Sequence, residues 1–406
     1  MSELIAGLDV GTTKICAVIA EVDDEDQVKV LGIGQAPSRG LRNGVIVNMA
    51  EATAAIGEAV EKAEQAAQVP LQSAYVGIAG SHIAATPSRG VVAIGRGRSI
   101  TVDDVERALE AARAIAIPHN RDIIHTLPRT FKVDDQDGIR DPIGMVGFRL
   151  EVDAHVITGA SSSVRNLVRC VNAHGIEIDE LVLQPLASGL AVLSEAEQEM
   201  GVVLADIGGG TTDIAIFLDR ALWHSVVLGV GGNRITQDIA MVLHTPFETA
   251  EELKIRYGHT IPERVAADEE LNATLFGDGG LQHVSRRFLS EILQARTAEI
   301  LEEILREIKR SGYDGLLPAG VVLTGGGAQQ NGLREFSREV FQLPVRIGTP
   351  NGFGGPELSH PAYATVVGLI LWGLRQRRSR PVRRVVSSPL WEKIIGWLRN
   401  LLPGAE

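Results

Sequence analysis

The chain has 406 residues, a formal net charge of −12 and two cysteines, and each of these excludes something. The length calls for two or more domains rather than one core, and the acidity speaks against general nucleic-acid binding, which needs a basic surface. Cys16 and Cys170 cannot by themselves build a disulfide framework or a zinc site, and a reducing compartment suits them.

The N-terminus, MSELIAGLDV, lacks the basic-then-apolar pattern of a signal peptide. LIAGLDV (residues 4–10) reads as a buried strand, Gly11-Thr12-Thr13 as a tight turn, and KICAVIAEV as the strand that returns. VKVLGIGQA (28–36) is a third strand. A helix is expected over 49–68, with Asn48 as its N-cap, Glu51 at capping-box spacing and Pro70 as its stop. AYVGIAG (74–80) is a fourth strand.

The same order returns about 197 residues later, taking Asp9 to Asp206 as the offset. GVVLADI is a strand, GGGTT a turn, DIAIFLD and ALWHSVVLG two further strands, NRITQDIAMVL a helix and GVVLTGG another buried strand. A repeated order of elements behind two Asp-Gly-Thr hairpins points to a duplicated domain. The expected architecture is α/β, two duplicated domains closing on a cleft, each carrying an inserted subdomain. The boundaries read as a first half at 1–81, an insertion at 82–158, a return with an interdomain helix at 159–193, a second half at 194–231, an insertion at 232–319 and a return at 320–374. In the second insertion Thr245 reads as an N-cap with Pro246 at N1, and a long helix with a basic last turn follows at 285–310.

Two facing Gly/Thr hairpins suit a phosphate chain, because Gly turns bring backbone N–H donors close with no Cβ in the way. Gly11, Thr12, Thr13 and Lys14 of the first hairpin, with Gly208, Gly209, Gly210, Thr211 and Thr212 of the second, are the candidates. Asp9 and Asp206 end equivalent strands and Asp213 opens the next, so the three can hold magnesium through water. Neither a GxxxxGK[ST] loop nor a GxGxxG fingerprint is present. Gly325, Gly326 and Gly327 can admit an adenosine, and Glu251 and Lys254, three apart on one helical face, can reach ribose hydroxyls. Gln184 opens the linker QPLASGLAVL, whose small residues let helices cross closely. It reads either as a buried amide satisfied by backbone or as a water-orienting group at the γ-phosphate.

The apolar run at 362–374 is too short to span a bilayer of about 30 Å and reads as a buried helix. From 375 to 388 the chain carries six arginines and no acid, a flexible basic tether with a reach on the order of 20 Å. Beyond it, over 389–402, Leu390, Trp391, Ile394, Ile395, Leu398, Leu401 and Leu402 fall on one helical face, with Trp397 at its edge. That helix reads as an in-plane membrane anchor for an anionic lipid surface.

The segments LDVGTTK, QPLASGLAVL, DIGGGTTD, LTGGGA and AYATVVGL resemble the five nucleotide-site segments of the actin-like ATPase superfamily. Within it the chain is similar along its whole length to the FtsA family of bacterial cell-division proteins. The resemblance implies an actin-like fold with ATP and Mg2+ in the cleft, and a weak ATPase at most, since chaperone members have Glu where Gln184 stands. It implies a peripheral adaptor at the cytoplasmic face of the inner membrane, at the division site. Its partners would be the FtsZ C-terminal tail on the second insertion, other copies in actin-like filaments, and later divisome membrane proteins. A sugar kinase of the superfamily would need a carboxylate base, for which no distinctive motif is present. A pilus-assembly actin-like adaptor would not be expected to end in an amphipathic helix.

Overall fold

The computed structural model describes residues 3–379 apart from 96–97, 115–116, 277–279, 352 and 354. The predicted membrane helix, with Leu390, Trp391, Ile394, Ile395, Trp397, Leu398, Leu401 and Leu402, lies outside the described residues, as does the tether beyond 379. Strands β1 (Glu3–Val10), β2 (Lys14–Val22) and β3 (Val28–Pro37) form an antiparallel meander. The short strands β4 (Leu41–Arg42) and β5 (Val45–Ile46), helix α1 (Met49–Ala67) and β6 (Ser73–Ile78) complete the first pass. Asn48 caps α1 by accepting from the N–H groups of Ala50 and Glu51. The reciprocal half of the expected capping box is missing, because the Asn48 N–H donates to the Gly40 carbonyl.

The first insertion contributes β7 (Ala84–Ala93), α2 (Val102–Arg113), β8 (Arg121–Val133), β9 (Gln136–Ile139) and β10 (Arg149–Ala160), a sheet of order β7-β10-β8-β9 with α2 packed on it. The chain returns through α3 (Ser161–Asn172) and β11 (Glu177–Leu183) into α4 (Gln184–Val192), so Gln184 stands at the strand-to-helix junction as expected.

After α5 (Glu195–Met200), the second half builds β12 (Val202–Ile207), β13 (Thr212–Leu218) and β14 (Ala221–Leu228). Helices α6 (Gly232–Val242) and α7 (Phe247–Tyr257), strands β15 (Glu270–Thr274) and β16 (Leu281–Ser285), and the long α8 (Arg286–Ser311) follow. Thr245 does not cap α7: its hydroxyl donates to the Thr274 carbonyl, and Pro246 takes the cap position instead. β17 (Val321–Thr324), α9 (Leu333–Phe341), β18 (Val345–Ile347), α10 (Gly355–Leu358) and α11 (Ala364–Ser379) close the chain.

The duplication is plain in the two five-stranded sheets. Their orders, β3-β2-β1-β6-β11 and β14-β13-β12-β17-β18, correspond strand by strand. In each, the first two pairings are antiparallel and the last two parallel. Helices α4 and α11 lie in the core shared by the sheets, and Gly368 of α11 approaches so near α4 that a Cβ there would overlap the Ala187 carbonyl. The opposite face of the first sheet packs on α1 and α3, and that of the second on α6, α8 and α9. The apolar run therefore is a core helix, as its length required. It also continues through Arg375–Arg378, residues the sequence assigns to a tether, because Arg377 and Arg378 find carboxylates on the body at Glu3 and Asp26.

Candidate functional site

The β1–β2 and β12–β13 hairpins meet across the cleft. A Cβ added to Gly209 would run into the Thr13 side chain, and one on Gly210 into Thr12. These two glycines are thus required first by the closeness of the opposite turn. Behind the hairpins lie three buried carboxylates. Asp9 and Asp206 are each the last residue but one of their strands, β1 and β12, and Asp213 stands directly across from Asp206 in the antiparallel register of β13. Cys16 holds the position across from Asp9, so the duplicated pair keeps its second carboxylate in one half only.

Burial pushes the Asp9 carboxyl from an ordinary 3.8 up to about 7, with the charge of Asp206 adding to it and Lys14 opposing. Asp206 is also raised by burial, against hydrogen bonds from Ser188 Oγ at 2.5 Å and Thr365 Oγ1 at 3.3 Å. Asp213 is held well above its usual range by burial and by Asp206. Its Oδ2 accepts from Thr211 Oγ1 at 3.2 Å, while its Oδ1 has no partner. Such a set, buried and under-compensated, is what a divalent cation would relieve. Among the described residues no group of three acidic, His or Cys side chains is disposed to ligate an ion directly. The fit is therefore to a hydrated ion, as magnesium prefers.

Gln184 is buried at the strand-to-helix junction. Its Nε2 donates to Asp9 Oδ1 at 2.9 Å, so its partner there is a buried carboxylate rather than backbone. Lys14 Nζ donates to the Ala362 carbonyl at 2.6 Å and lies 4.0 Å from the Tyr363 ring centroid. Thr212 is turned away from the cavity, its hydroxyl spent on the Val230 carbonyl.

Two adjoining cavities occupy the cleft. One, of about 180 Å3, is bounded by Gly11, Lys14, Gln184, Gly208 and the three aspartates. The other, of about 310 Å3, is bounded by Glu251, Lys254, Gly326, Gly327 and Gln330, and Thr13, Gly208, Gly209 and Gly326 border both. These sizes suit an elongated small ligand with a charged end and a flatter end. Gly325 and Gly327 could not carry a Cβ without meeting Asp206 and Ile207 respectively, whereas Gly326 faces open space. Lys254 Nζ donates to Glu251 Oε2 at 2.6 Å and Thr236 Oγ1 at 2.8 Å, and burial lowers its pKa. The ion pair and the cavity wall are here the same residues. A larger cavity of about 710 Å3 lies between β8, α3 and β11, but its lining has Asp122, Glu177 and Glu180 and no cation, which suits phosphates poorly.

Sequence reasoning missed Ser188, Thr365, Asn233 and Thr236. Asn233 borders the larger lobe and Thr236 bonds both members of the Glu251–Lys254 pair. Ser188 and Thr365 left a signal, each a hydroxyl within a largely apolar helical run.

Residues 203–368 match the family described as Cell division protein FtsA, and residues 80–158 match the SHS2 domain inserted in FTSA. The chain is 42% identical over 410 residues to Cell division protein FtsA of Pseudomonas aeruginosa, covering 98% of each. Among solved structures it is similar to the PilM-PilN type IV pilus biogenesis complex, with a TM-score of 0.66 at 17% identity over 91% of this chain and 98% of that one. It is also similar to MreB 5 of Spiroplasma citri bound to AMPPNP, with a TM-score of 0.55 at 15% identity over 93% and 98%. The fold is accordingly that of the actin-like ATPases.

Proposed function

Since the chain belongs to the FtsA family of cell-division proteins, we propose that it binds Mg-ATP in its cleft and works as a peripheral adaptor on the inner membrane at the division site. The observation that carries the nucleotide reading is the meeting of two Gly/Thr hairpins over three buried carboxylates, beside a lobe walled by Glu251 and Lys254. In this reading Asp9, Asp206 and Asp213 hold the waters of a magnesium ion, and the N–H groups of the two Gly turns take the phosphates. Lys254, Glu251 and Gly326 border the nucleoside. Magnesium, when bound, supplies the positive charge that the buried carboxylates and the phosphates share. The chain's own part is to bind and orient: Gln184 fixes Asp9, and Ser188 and Thr365 fix Asp206.

The adaptor part of the reading rests on the family and on the C-terminal sequence. No helix of the described residues is long and apolar enough to cross a membrane. Attachment would run through the amphipathic segment at 389–402, reversible for one copy and firmer when many copies assemble into a filament. The tethered partner would be the FtsZ C-terminal tail, with later divisome proteins recruited to the same assembly.

Two measurements test the halves of this reading separately. Calorimetric titration with Mg-ATP should show binding by the parent and a marked loss in Asp206→Ala, with circular dichroism confirming that the variant folds. Unchanged affinity would remove Asp206 from the site. Co-sedimentation with anionic vesicles, with and without an FtsZ tail peptide, should carry both down with the parent. Trp391→Glu should stay in solution while still binding ATP.

A further inference from the structure

The end of α11 is held to one end of the first sheet, where β1 begins and β2 turns into β3. Arg377 Nε lies 3.1 Å from Glu3 Oε2, and its Nη1 lies 3.7 Å from Asp26 Oδ1 and donates to the Asp23 carbonyl at 3.1 Å. Arg378 Nε lies 2.8 Å from Asp26 Oδ2. The receiving surface is the β2–β3 turn, Asp23-Asp24-Glu25-Asp26. It is built rather than loose: Asp23 Oδ1 accepts from the N–H groups of Glu25 and Gln27, both at 2.8 Å, and Asp26 adopts φ +60°. Arg377 is about three-quarters buried in this arrangement.

The residues that follow Ser379 in sequence include Arg380, Arg383 and Arg384 and lead to the amphipathic segment. The arginines bound by the acidic turn are thus early members of the stretch that, in the reading above, meets anionic lipid. We propose that the acidic edge formed by Glu3 and the β2–β3 turn competes with an anionic membrane surface for Arg377 and Arg378. In solution the edge pins the start of the tether to the body; at an anionic surface the head groups take the same guanidiniums and α11 lets go of the turn. This inference rests on the membrane reading and adds to it a counter-surface within the chain.

The two attachments are comparable in strength. Partly exposed ion pairs are individually weak, and each arginine near an anionic leaflet gains a similar amount. The balance therefore lies within about tenfold either way, which makes the clasp reversible and sensitive to salt.

The test is the full chain carrying Glu3→Gln and Asp26→Asn. Both changes keep shape, and Asn tolerates the left-handed backbone at 26. A control carries the same charge change at exposed Glu61 and Glu106, as Gln. Without lipid, tryptic release of the C-terminal peptide by cuts after Arg377 and Arg378 should be several-fold faster in the variant than in parent or control. Raising the salt should speed the parent's cleavage toward the variant's. On vesicles of phosphatidylcholine with phosphatidylserine the variant should bind two- to fivefold more tightly than the control. Equal cleavage rates overturn the clasp, and faster cleavage with no tighter binding overturns the competition. A parent that ignores anionic vesicles overturns the membrane reading itself, and this proposal with it.

Discussion

Replacing Asp9 with Asn should make the protein more stable while making it a poorer binder of Mg-ATP. The carboxyl is buried, and its pKa rises from 3.8 to about 7. Between those values the folded state holds a proton that the unfolded state has released. Stability therefore falls as pH rises across that window, and the full penalty stands above about 7. At about 1.4 kcal/mol per unit the penalty is on the order of 4 kcal/mol at pH 8. Asn carries no such charge, and its Oδ1 can still accept from Gln184 Nε2, the bond Asp9 makes at 2.9 Å.

The assay is thermal unfolding of parent and variant in chelator without nucleotide, from pH 5 to pH 8. The difference in stability should widen in the variant's favour by up to about 1.4 kcal/mol per pH unit and level off above 7, worth a few degrees in Tm. Adding Mg-ATP should narrow the difference markedly, since a ligand at about 100 times its Kd adds roughly 2.7 kcal/mol to the state that binds it. A variant no more stable than the parent at pH 8 in chelator would refute the reasoning, because Asp9 would then not be a charge held at a cost.

Three further outcomes are expected. Gly326→Ala should fold like the parent but weaken nucleotide binding by narrowing the larger lobe, whereas Gly325→Ala should destabilise the fold outright, since its φ is +85° and a Cβ would overlap Asp206; melting curves and titrations of the pair separate the two effects. Burial lowers the pKa of His125 to about 4 and that of His155 to about 3, so the unfolded chain binds protons there that the folded one does not. Stability should fall as pH drops below about 6.5, and His125→Gln should flatten part of that slope in acid melts. Turnover of ATP should lie well under the enzyme median of about 10 per second, because the Gln184 amide is a poor proton acceptor and is committed to Asp9; a phosphate-release assay reads this directly.

What the sequence made legible was local and repeated. An apolar strand ending in Asp, a Gly/Thr turn and a returning strand carry their own signature in period and composition. Its recurrence at a fixed offset marks both halves of the cleft, with Gln184 at the junction between them. What stayed hidden were relations across distance. The parallel pairings β6–β11 and β17–β18 depend on crossovers that leave no trace in either strand. Thr236 sits on an ordinary amphipathic helix, and only the approach of α7 turns its hydroxyl into a partner of Lys254 and Glu251. The arginines of the last turn of α11 read as solvated because their carboxylates, Glu3 and Asp26, lie some 350 positions earlier in the chain.

The hairpin contact shows why duplication alone does not make a site. Each Gly/Thr turn would be an unremarked connection on its own sheet. They oppose each other because α4 and α11 cross with Gly368 against Ala187, which sets how closely the two sheets can approach. At that approach the Thr12 and Thr13 side chains meet the bare Cα atoms of Gly209 and Gly210. The asymmetry follows from the same geometry. Equivalent register positions hold Cys16 in one half and Asp213 in the other, so two of the three carboxylates lie on the second sheet, while the lysine beside them, Lys14, comes from the first. A cation bound between them would draw its carboxylates from both halves, so its binding would favour the arrangement in which the two hairpins meet.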